Sequence, residues 1–204
     1  MTVNDEWSRT TIDSDTLVTR LADPANHEAW FLVEDRYGPL VERFARRLGL
    51  DVELARDARQ DAMAAFAEAL KAHRYDRGRG RLRDFLFSIA RNKVMDIHRR
   101  EARQNRRAIQ PDETDFFERA PSDSDADSLW ETEWQLSIRA QCLKEAQTHF
   151  SDDAYLVFYL KAIEGLSSAD VAEQTGKSIN AVDLTTHRVR AFLRKIRPTI
   201  EEIF

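Results

Sequence analysis

The sequence has 204 residues, of which 42% are hydrophobic and 33% are charged, enough for one large domain or two small ones. It has only 6 glycines, 5 prolines and 1 cysteine, which excludes collagen, disulfide-rich scaffolds and turn-rich β-sandwiches. The sequence shows no Cys/His metal set, no apolar leader and no run of 18 apolar residues. We therefore expect a helical, cytoplasmic protein with no membrane insertion, no metal and no cofactor.

Charge is sorted along the chain. Residues 71–107 contain 13 lysines and arginines against 4 aspartates and glutamates, a net charge of +9. Residues 112–133 contain 1 against 9, a net charge of −8, whereas residues 136–204 balance. A basic stretch beside an acidic one indicates a polyanionic partner, with an acidic segment that either shields the basic surface or spaces two domains. A solvated helix face is the simpler alternative for such charge runs.

Three stretches of the first half place apolar residues at three- and four-residue steps, which predicts three helices. They cover residues 29–48, Asp51–Leu70 with Asp51 as the N-cap, and Leu82–Arg100. The pair Gly38-Pro39 is expected to kink or split the first of them.

The second half begins with a polar, acidic stretch. Residues 104–129 contain two prolines and predict a linker. Helical spacing resumes at Trp130, and a further helix capped by Asp152 or Asp153 is expected to end near Gly165. The predicted fold is all-α, with two small helical domains joined by an acidic linker.

Residues 165–195 have the pattern of a helix-turn-helix. Ser167 and Ser178 are placed to cap two consecutive helices, and Gly176 supplies the backbone freedom for the turn. The second helix would enter the major groove of duplex DNA, and an ordinary two-helix hairpin is the alternative. The residues of that helix expected to pack inward are Ile179, Val182, Val189, Phe192 and Leu193.

Several short motifs occur in a characteristic order. The first half contains Phe66-Ala-Glu-Ala-Leu, Arg74-Tyr-Asp-Arg-Gly-Arg-Gly-Arg-Leu-Arg-Asp-Phe-Leu and Ser88-Ile-Ala-Arg-Asn-Lys-Val-Met-Asp-Ile-His-Arg-Arg. The second half contains Glu164-Gly-Leu-Ser, Val171-Ala-Glu, Gly176-x-Ser and His187-Arg-Val-Arg. In these motifs the chain resembles the extracytoplasmic-function (ECF) sigma factors, small two-domain initiation subunits of bacterial RNA polymerase. The resemblance implies an unassigned extension, a sigma region two domain, a linker and a region four domain at residues 1–27, 28–103, 104–129 and 130–204.

The resemblance implies that the first domain captures the unwound strand of the minus-ten promoter element. Such capture needs a basic track and surfaces on which bases stack. Helical spacing lets Asn92, Asp96, Arg99 and Arg103 share one face. The residues implied to contact the strand are Lys71, Arg74, Tyr75, Arg79, Arg81, Arg91, Asn92, Lys93, Asp96, Arg99, Arg100 and Arg103.

Two further surfaces carry over from the family. The second domain would read the minus-thirty-five duplex through Ser178, Asn180, Ala181, Asp183, Leu184, Thr185, His187, Arg188 and Arg190. Core polymerase would be bound through Asp57, Arg59, Gln60, Asp61, Ala64 and Phe66. The chain departs from the family at Asp183 and Thr185, where Lys or Arg is common, and at Arg59 and Gln60, which are expected to dilute an acidic cluster.

The implied partners are bacterial core RNA polymerase and promoter DNA, with an anti-sigma factor or a regulating kinase as candidate regulators. A phosphate would restore charge to a diluted acidic cluster, yet residues 51–72 contain no Ser, Thr or Tyr. Two rival functions stay open at this point. One is a stand-alone helix-turn-helix regulator with an N-terminal interaction domain, and the other is a metal-dependent nuclease using Asp57, Asp61 and Asp96, although these lack motif spacing. We expect no catalytic residues.

Overall fold

The computed structural model describes residues 14–21, 23, 26–108 and 123–203. Within them lie eight α-helices and a short 3-10 turn at Arg77–Arg79, with no strand, which confirms the all-α prediction. The helices are α1 Ser14–Leu21, α2 His27–Arg47, α3 Val52–Lys71, α4 Leu82–Ala108, α5 Asp123–His149, α6 Asp152–Ala162, α7 Ser168–Thr175 and α8 Ile179–Ile203. Residues 1–13 of the predicted extension and 109–122 of the predicted linker lie outside the described residues.

The chain divides into two compact units between Gln135 and Leu136, inside α5. The first unit therefore includes the beginning of α5, and the second unit contains the rest of α5 together with α6, α7 and α8. The second unit starts six residues after the start predicted for the second domain. Helix α4 also runs on to Ala108 and α5 starts at Asp123, so the predicted linker is helical at both ends.

Helices α2, α3 and α4 form the core of the first unit. Helix α3 packs against both of the others, and its buried face is largely alanine, which allows close approach. Phe44 and Phe66 are fully buried at the centre of this core, each contributing about 1.5–3 kcal/mol by its removal from water. Leu17 and Leu21 of α1 are also fully buried, so part of the unassigned extension belongs to the first unit.

Helix α2 continues through Gly38 and Pro39 without the predicted interruption. Tyr37 and Leu40, on either side of the pair, are fully buried and hold both halves of the helix on the core. A Cβ at position 38 would lie 2.7 Å from Nε of Arg59 and from Oε1 of Glu34, so a larger residue there would displace the ends of these two side chains.

The first part of α5 packs on the first unit through two tryptophans and a glutamate. The Trp130 ring meets Phe44 and Phe87 at centroid distances of 5.2 Å each, and the Arg83 guanidinium lies 3.8 Å from the centre of the Trp134 ring. These contacts explain why the unit boundary falls after Trp134. Helical periodicity alone does not reveal which core a helix joins.

Glu133 is a buried charge, only 2% exposed. Its carboxylate accepts hydrogen bonds from Nε of Arg43 at 2.9 Å and Nε of Arg47 at 3.0 Å. Two arginines on one buried carboxylate compensate for its lost hydration. Glu133 therefore fixes α5 to the end of α2.

The second unit is built around the helix-turn-helix. Ser167 caps α7 in a reciprocal capping box with Asp170, and Gly176 follows α7 with a φ of 67°, in the left-handed region. Ser178 accepts a hydrogen bond from the Ala181 backbone at 3.2 Å, as an N-cap does. The predicted helix-turn-helix geometry is present. Its buried clusters are Val157, Val171 and Val182, and Ala146, Phe158 and Val189.

Two local expectations for this unit are corrected. Helix α6 is capped by Ser151, whose Oγ accepts from the Ala154 backbone at 3.4 Å, and not by either aspartate that follows. Ile179, which was expected to pack inward, is 52% exposed at the first position of α8.

Candidate nucleic-acid interface

The loop between α3 and α4 is shaped by its own hydrogen bonds. Asp76 accepts from the Gly78 backbone at 2.8 Å, and the Tyr75 hydroxyl donates to the Gly80 carbonyl at 3.3 Å. The Tyr75 ring packs on Phe85 with centroids 5.5 Å apart, and this burial raises the pKa of the Tyr75 hydroxyl. Tyr75 is thus half-buried, whereas the basic residues of the loop are exposed: Lys71, Arg74, Arg77, Arg79 and Arg81.

Helix α4 presents a polar stripe that continues from this loop. Asn92, Asp96, Arg99 and Arg103 are all exposed, as their helical spacing predicts. Asp96 pairs with Arg99 at 3.0 Å, so part of the positive charge is balanced within the stripe. Arg100 is exposed beside it, and Arg91 and Lys93 are half-buried at its edges. The loop and the stripe together offer cations for phosphates and an aromatic ring beside them.

Helix α3 carries an acidic face. Asp57 and Asp61, predicted to bind polymerase, are exposed there together with Glu53 and Glu68, which sequence reasoning did not single out. Helical spacing alone groups all four on one face. Gln60 and Ala64 are also exposed on this side of the helix. Phe66 is corrected: its side chain is fully buried and packs near Phe85, so it belongs to the core.

Arg59 does not dilute that acidic face. It points toward α2, where its guanidinium donates to Glu34 at 2.7 Å and to Glu42 at 3.1 Å. Burial disfavours the charged form of Arg59, but the hydrogen bonds to Glu34 and Glu42 outweigh it and raise the pKa. The expectation that Arg59 dilutes the cluster is therefore corrected, because its positive charge is neutralised on the other side of α3, whereas Gln60 is exposed on the acidic face.

The outer face of α8 begins directly after the turn. Asn180, Leu184 and His187 follow helical spacing and are exposed, with Arg188 and Arg190 exposed alongside them. The other predicted contacts are less available. Ser178 is engaged as the N-cap, and Ala181 and Thr185 are half-buried.

Asp183 is held by neighbouring helices. Its carboxylate accepts hydrogen bonds from Nζ of Lys161 on α6 and from Oγ of Ser168 on α7, the latter at 2.8 Å. Lys161 also donates to Ser168 at 2.6 Å. The hydrogen bond from Lys161, followed by that from Ser168, lowers the pKa of Asp183. The acidic group that departs from the family pattern is thus neutralised within the fold, and Lys161 and Ser168 are partners that sequence reasoning missed.

A small pocket lies beside α8. It has a volume of about 250 Å³ and is lined by His149, Phe150, Ser151, Ala154, Thr185 and Arg188. The His149 ring stacks on Phe192 at 4.2 Å, which fixes one wall. Thr185 therefore faces this pocket at the edge of α8 and lies away from the outer row.

The described residues contain no group of three or more His, Cys, Asp or Glu side chains placed to hold a metal ion. Within the same ranges, no helix has the length and apolar character needed to cross a membrane.

Comparisons with known proteins match both units. Residues 35–104 match Sigma-70 region 2, and residues 155–193 match Sigma-70 region 4. The chain is 28% identical over 144 residues to the RNA polymerase sigma factor YlaC of Bacillus subtilis, covering 71% of this chain and 78% of YlaC. It is 25% identical over 184 residues to the ECF RNA polymerase sigma factor RpoE of Cereibacter sphaeroides, covering 89% of this chain and 91% of RpoE.

A solved structure, that of CnrH in complex with the cytosolic domain of CnrY, shares 24% sequence identity and a TM-score of 0.36. The alignment covers 88% of this chain and 94% of that one, but nothing about this chain follows from so low a TM-score. The family assignment rests on the two regions, matched in the order that the sequence motifs predict, and on the two relatives. The chain belongs to the sigma-70 family of RNA polymerase sigma factors and, within it, to the ECF type.

Proposed function

We propose that this ECF sigma factor brings core RNA polymerase to its promoters by using the two units on two different forms of DNA. The first unit would hold the unwound minus-ten strand, and the second would read the minus-thirty-five element as duplex. The observation that supports this division most strongly is the pair of exposed polar helix faces, one in each unit. The stripe of α4 is bordered by a basic loop and a tyrosine, whereas the outer row of α8 follows a helix-turn-helix.

The exposed side chains of α4 suit single-stranded DNA, and those of α8 suit duplex DNA. Single-stranded DNA offers phosphates and free base faces, so cations and an aromatic ring suit it. The α4 stripe and its edge supply Arg99, Arg100 and Arg103, and the loop before α4 supplies Tyr75 together with its own exposed arginines. Duplex DNA offers base edges in the major groove, which a recognition helix reads with short polar and apolar side chains. Helix α8 presents Asn180 and Leu184 in that position.

The acidic face of α3 is the proposed contact with core polymerase. Asp57 and Asp61 point outward, and the one arginine that the sequence places among them is neutralised by Glu34 and Glu42. The face is therefore more acidic than the order of residues suggests. Core polymerase would need a complementary basic surface there.

In this account the protein is not an enzyme, needs no cofactor and works in the cytoplasm, where bacterial core polymerase meets promoter DNA. Regulation by an anti-sigma factor or a kinase stays a proposal. The acidic face of α3 offers no hydroxyl for phosphate, because residues 51–72 contain no Ser, Thr or Tyr. Within the described part of the acidic stretch, Glu131 pairs with Arg83 of the basic stretch at 3.2 Å.

The test is reconstitution of the full chain with bacterial core polymerase, followed by selection of active promoters from a random pool. We expect two conserved elements to emerge, one upstream in duplex DNA and one at the melted region. Asp57→Asn/Asp61→Asn is the matched variant, because it removes charge from the proposed polymerase contact and leaves both DNA faces intact. Specific duplex binding without polymerase, together with no initiation in its presence, would instead identify a stand-alone regulator.

A further inference from the structure

Leu184 is the most exposed large hydrophobic residue among the described residues of the second unit, at 59%. One exposed leucine is ordinary on a protein surface and by itself indicates nothing. Its position is what distinguishes it. Leu184 lies in the outer row of α8, one turn after Asn180 and one turn before His187, and all three side chains are exposed.

The residues next to Leu184 are held within the fold, so Leu184 is the apolar side chain that this row presents. Asp183 is tied to Lys161 and Ser168, and Thr186 is buried with its hydroxyl donating to the Val182 carbonyl at 2.8 Å. Thr185 faces the small pocket at the edge of the helix. Of residues 183–186, Leu184 alone stands fully outward and free of such partners within the described structure.

The row matches the chemistry of base pairs in the major groove. Thymine is the base that presents a methyl group there, and adenine presents the acceptor and donor that an asparagine amide can bind at once. Arg188 and Arg190 flank the row and are exposed, so they can contact the phosphates on either side. An apolar side chain between two groups that form hydrogen bonds therefore fits a step containing A·T pairs.

We propose that Leu184 determines specificity by packing against the 5-methyl group of a thymine in the minus-thirty-five element. The inference rests on the proposed function, because it requires α8 to lie in the major groove. It goes further by naming the chemical group that one side chain recognises. Asn180 would bind an adenine next to it.

The test removes single methyl groups. In the upstream element selected with core polymerase, each thymine is replaced in turn by deoxyuridine, which differs only at the 5-position. Open-complex formation is then titrated with the wild-type chain. At one thymine the half-saturating concentration should rise about fourfold, equivalent to about 0.8 kcal/mol for one buried methyl group.

Three variants assign that effect to Leu184. Leu184→Ala should bind the thymine promoter about fourfold more weakly and should no longer distinguish thymine from deoxyuridine at that position. Leu184→Met should retain the distinction, since it keeps a side chain of similar volume. Leu156→Ala, which removes another exposed leucine of the same unit, should leave the thymine-to-deoxyuridine ratio at the wild-type value.

The inference is overturned if the wild-type protein has the same half-saturating concentration with deoxyuridine as with thymine at every position. It is also overturned if a fourfold difference between the two promoters persists in Leu184→Ala. A selected upstream element without thymine on either strand overturns it too. These results leave the proposed function standing if promoter selection itself succeeds. Failure to select any upstream element with core polymerase overturns both.

Discussion

Each unit contains a charge opposite in sign to the residues around it, and in each unit a neighbouring helix neutralises that charge. In the first unit, Arg59 lies in a helix whose outer face is acidic, and Glu34 and Glu42 on α2 neutralise it. In the second unit, Asp183 lies in a recognition helix flanked by arginines, and Lys161 on α6 neutralises it. In each case the charge opposite in sign to the residues around it is paired with a side chain of a neighbouring helix. Charges counted along a sequence therefore do not show which of them a partner can meet.

Among the ion pairs of the first unit, those of the buried Glu133 should contribute the most to the unfolding free energy. Replacing both Arg43 and Arg47 with alanine removes two partners from a carboxylate that is 2% exposed, and we expect a loss of about 3 kcal/mol in unfolding free energy. Replacing Glu133 with alanine should cost less, about 1–2 kcal/mol, because the half-exposed arginines can be solvated by water. Urea unfolding followed by tryptophan fluorescence reports on the first unit, since all four tryptophans lie before residue 136. Equal losses in both variants would contradict this asymmetry.

On α3, we expect the outward charges to affect the affinity for core polymerase and the inward charge of Arg59 to affect the unfolding free energy. We expect Asp57→Asn/Asp61→Asn to weaken the affinity for core polymerase about tenfold, or about 1.4 kcal/mol, with little effect on unfolding. Arg59→Ala should do the reverse, lowering the unfolding free energy by about 1 kcal/mol because its pairs are partly exposed. Both constants come from the same preparations, by fluorescence titration with polymerase and by urea unfolding. Tighter polymerase binding by Arg59→Ala would show that Arg59 does dilute the acidic face.

The arginines of the α4 stripe should be visible in the salt dependence of DNA binding. Arg99→Ala/Arg100→Ala removes two phosphate contacts and should reduce the slope of log affinity against log salt by about 1.4 on a promoter with a single-stranded minus-ten region. The matched control is Arg56→Ala, which removes an exposed arginine paired with Glu53 on another helix and should leave the slope unchanged. A slope that stays at its wild-type value in the double variant would remove these arginines from the proposed interface.

Asp183 should stabilise the second unit only where its carboxyl is ionised. Its pKa is lowered from an ordinary value of 3.8 by Lys161 and Ser168, so the folded state binds the proton more weakly than the unfolded chain does. The stabilisation is therefore present above pH 4 and is lost as the pH falls through the lowered pKa. Thermal unfolding followed by circular dichroism should show Asp183→Asn less stable than wild type at pH 6, with the gap narrowing toward pH 3. A gap that widens on acidification would contradict the pairing.

The smallest effect concerns two equivalent helix ends. After α7 the left-handed residue is Gly176, with φ of 67°, whereas after α3 it is His73, with φ of 51°. A histidine in this region of φ and ψ carries a cost that glycine avoids. His73→Gly should therefore raise the unfolding free energy of the first unit by up to about 1 kcal/mol, and Gly176→Ala should lower that of the second by a similar amount. Destabilisation by His73→Gly in urea would contradict this comparison of the two helix ends.

Local patterns in the sequence predicted most of the helices and the exposed faces. Apolar spacing placed α2, α3 and α4, the serine and glycine positions placed the turn of the helix-turn-helix, and helical spacing grouped Asn92 with Arg103. The predictions that were wrong concerned residues whose partners lie far away in the sequence. Arg59 and Glu34 are 25 residues apart, Lys161 and Asp183 are 22 apart, and Arg43 and Glu133 are 90 apart. No periodicity within one helix reveals a partner on another.

The boundary between the units shows the same limit. An acidic stretch with prolines predicts a linker as far as residue 129, yet α5 begins at Asp123 and packs Trp130 and Glu133 on the first unit. The amphipathic pattern of α5 is compatible with either core. Packing of side chains selects one of them.

If each unit reads its own promoter element on one polymerase, a variant in one unit should change the response to only one of the two elements. Initiation by the reconstituted enzyme is measured on promoters in which either the minus-ten or the minus-thirty-five element is scrambled, for wild type, Arg99→Ala/Arg100→Ala and Asn180→Ala. We expect Asn180→Ala to lose part of its discrimination against a scrambled upstream element and to stay fully sensitive at minus-ten, whereas the double arginine variant keeps its upstream preference. Loss of minus-ten preference in Asn180→Ala, or initiation that needs neither element, would contradict this expectation.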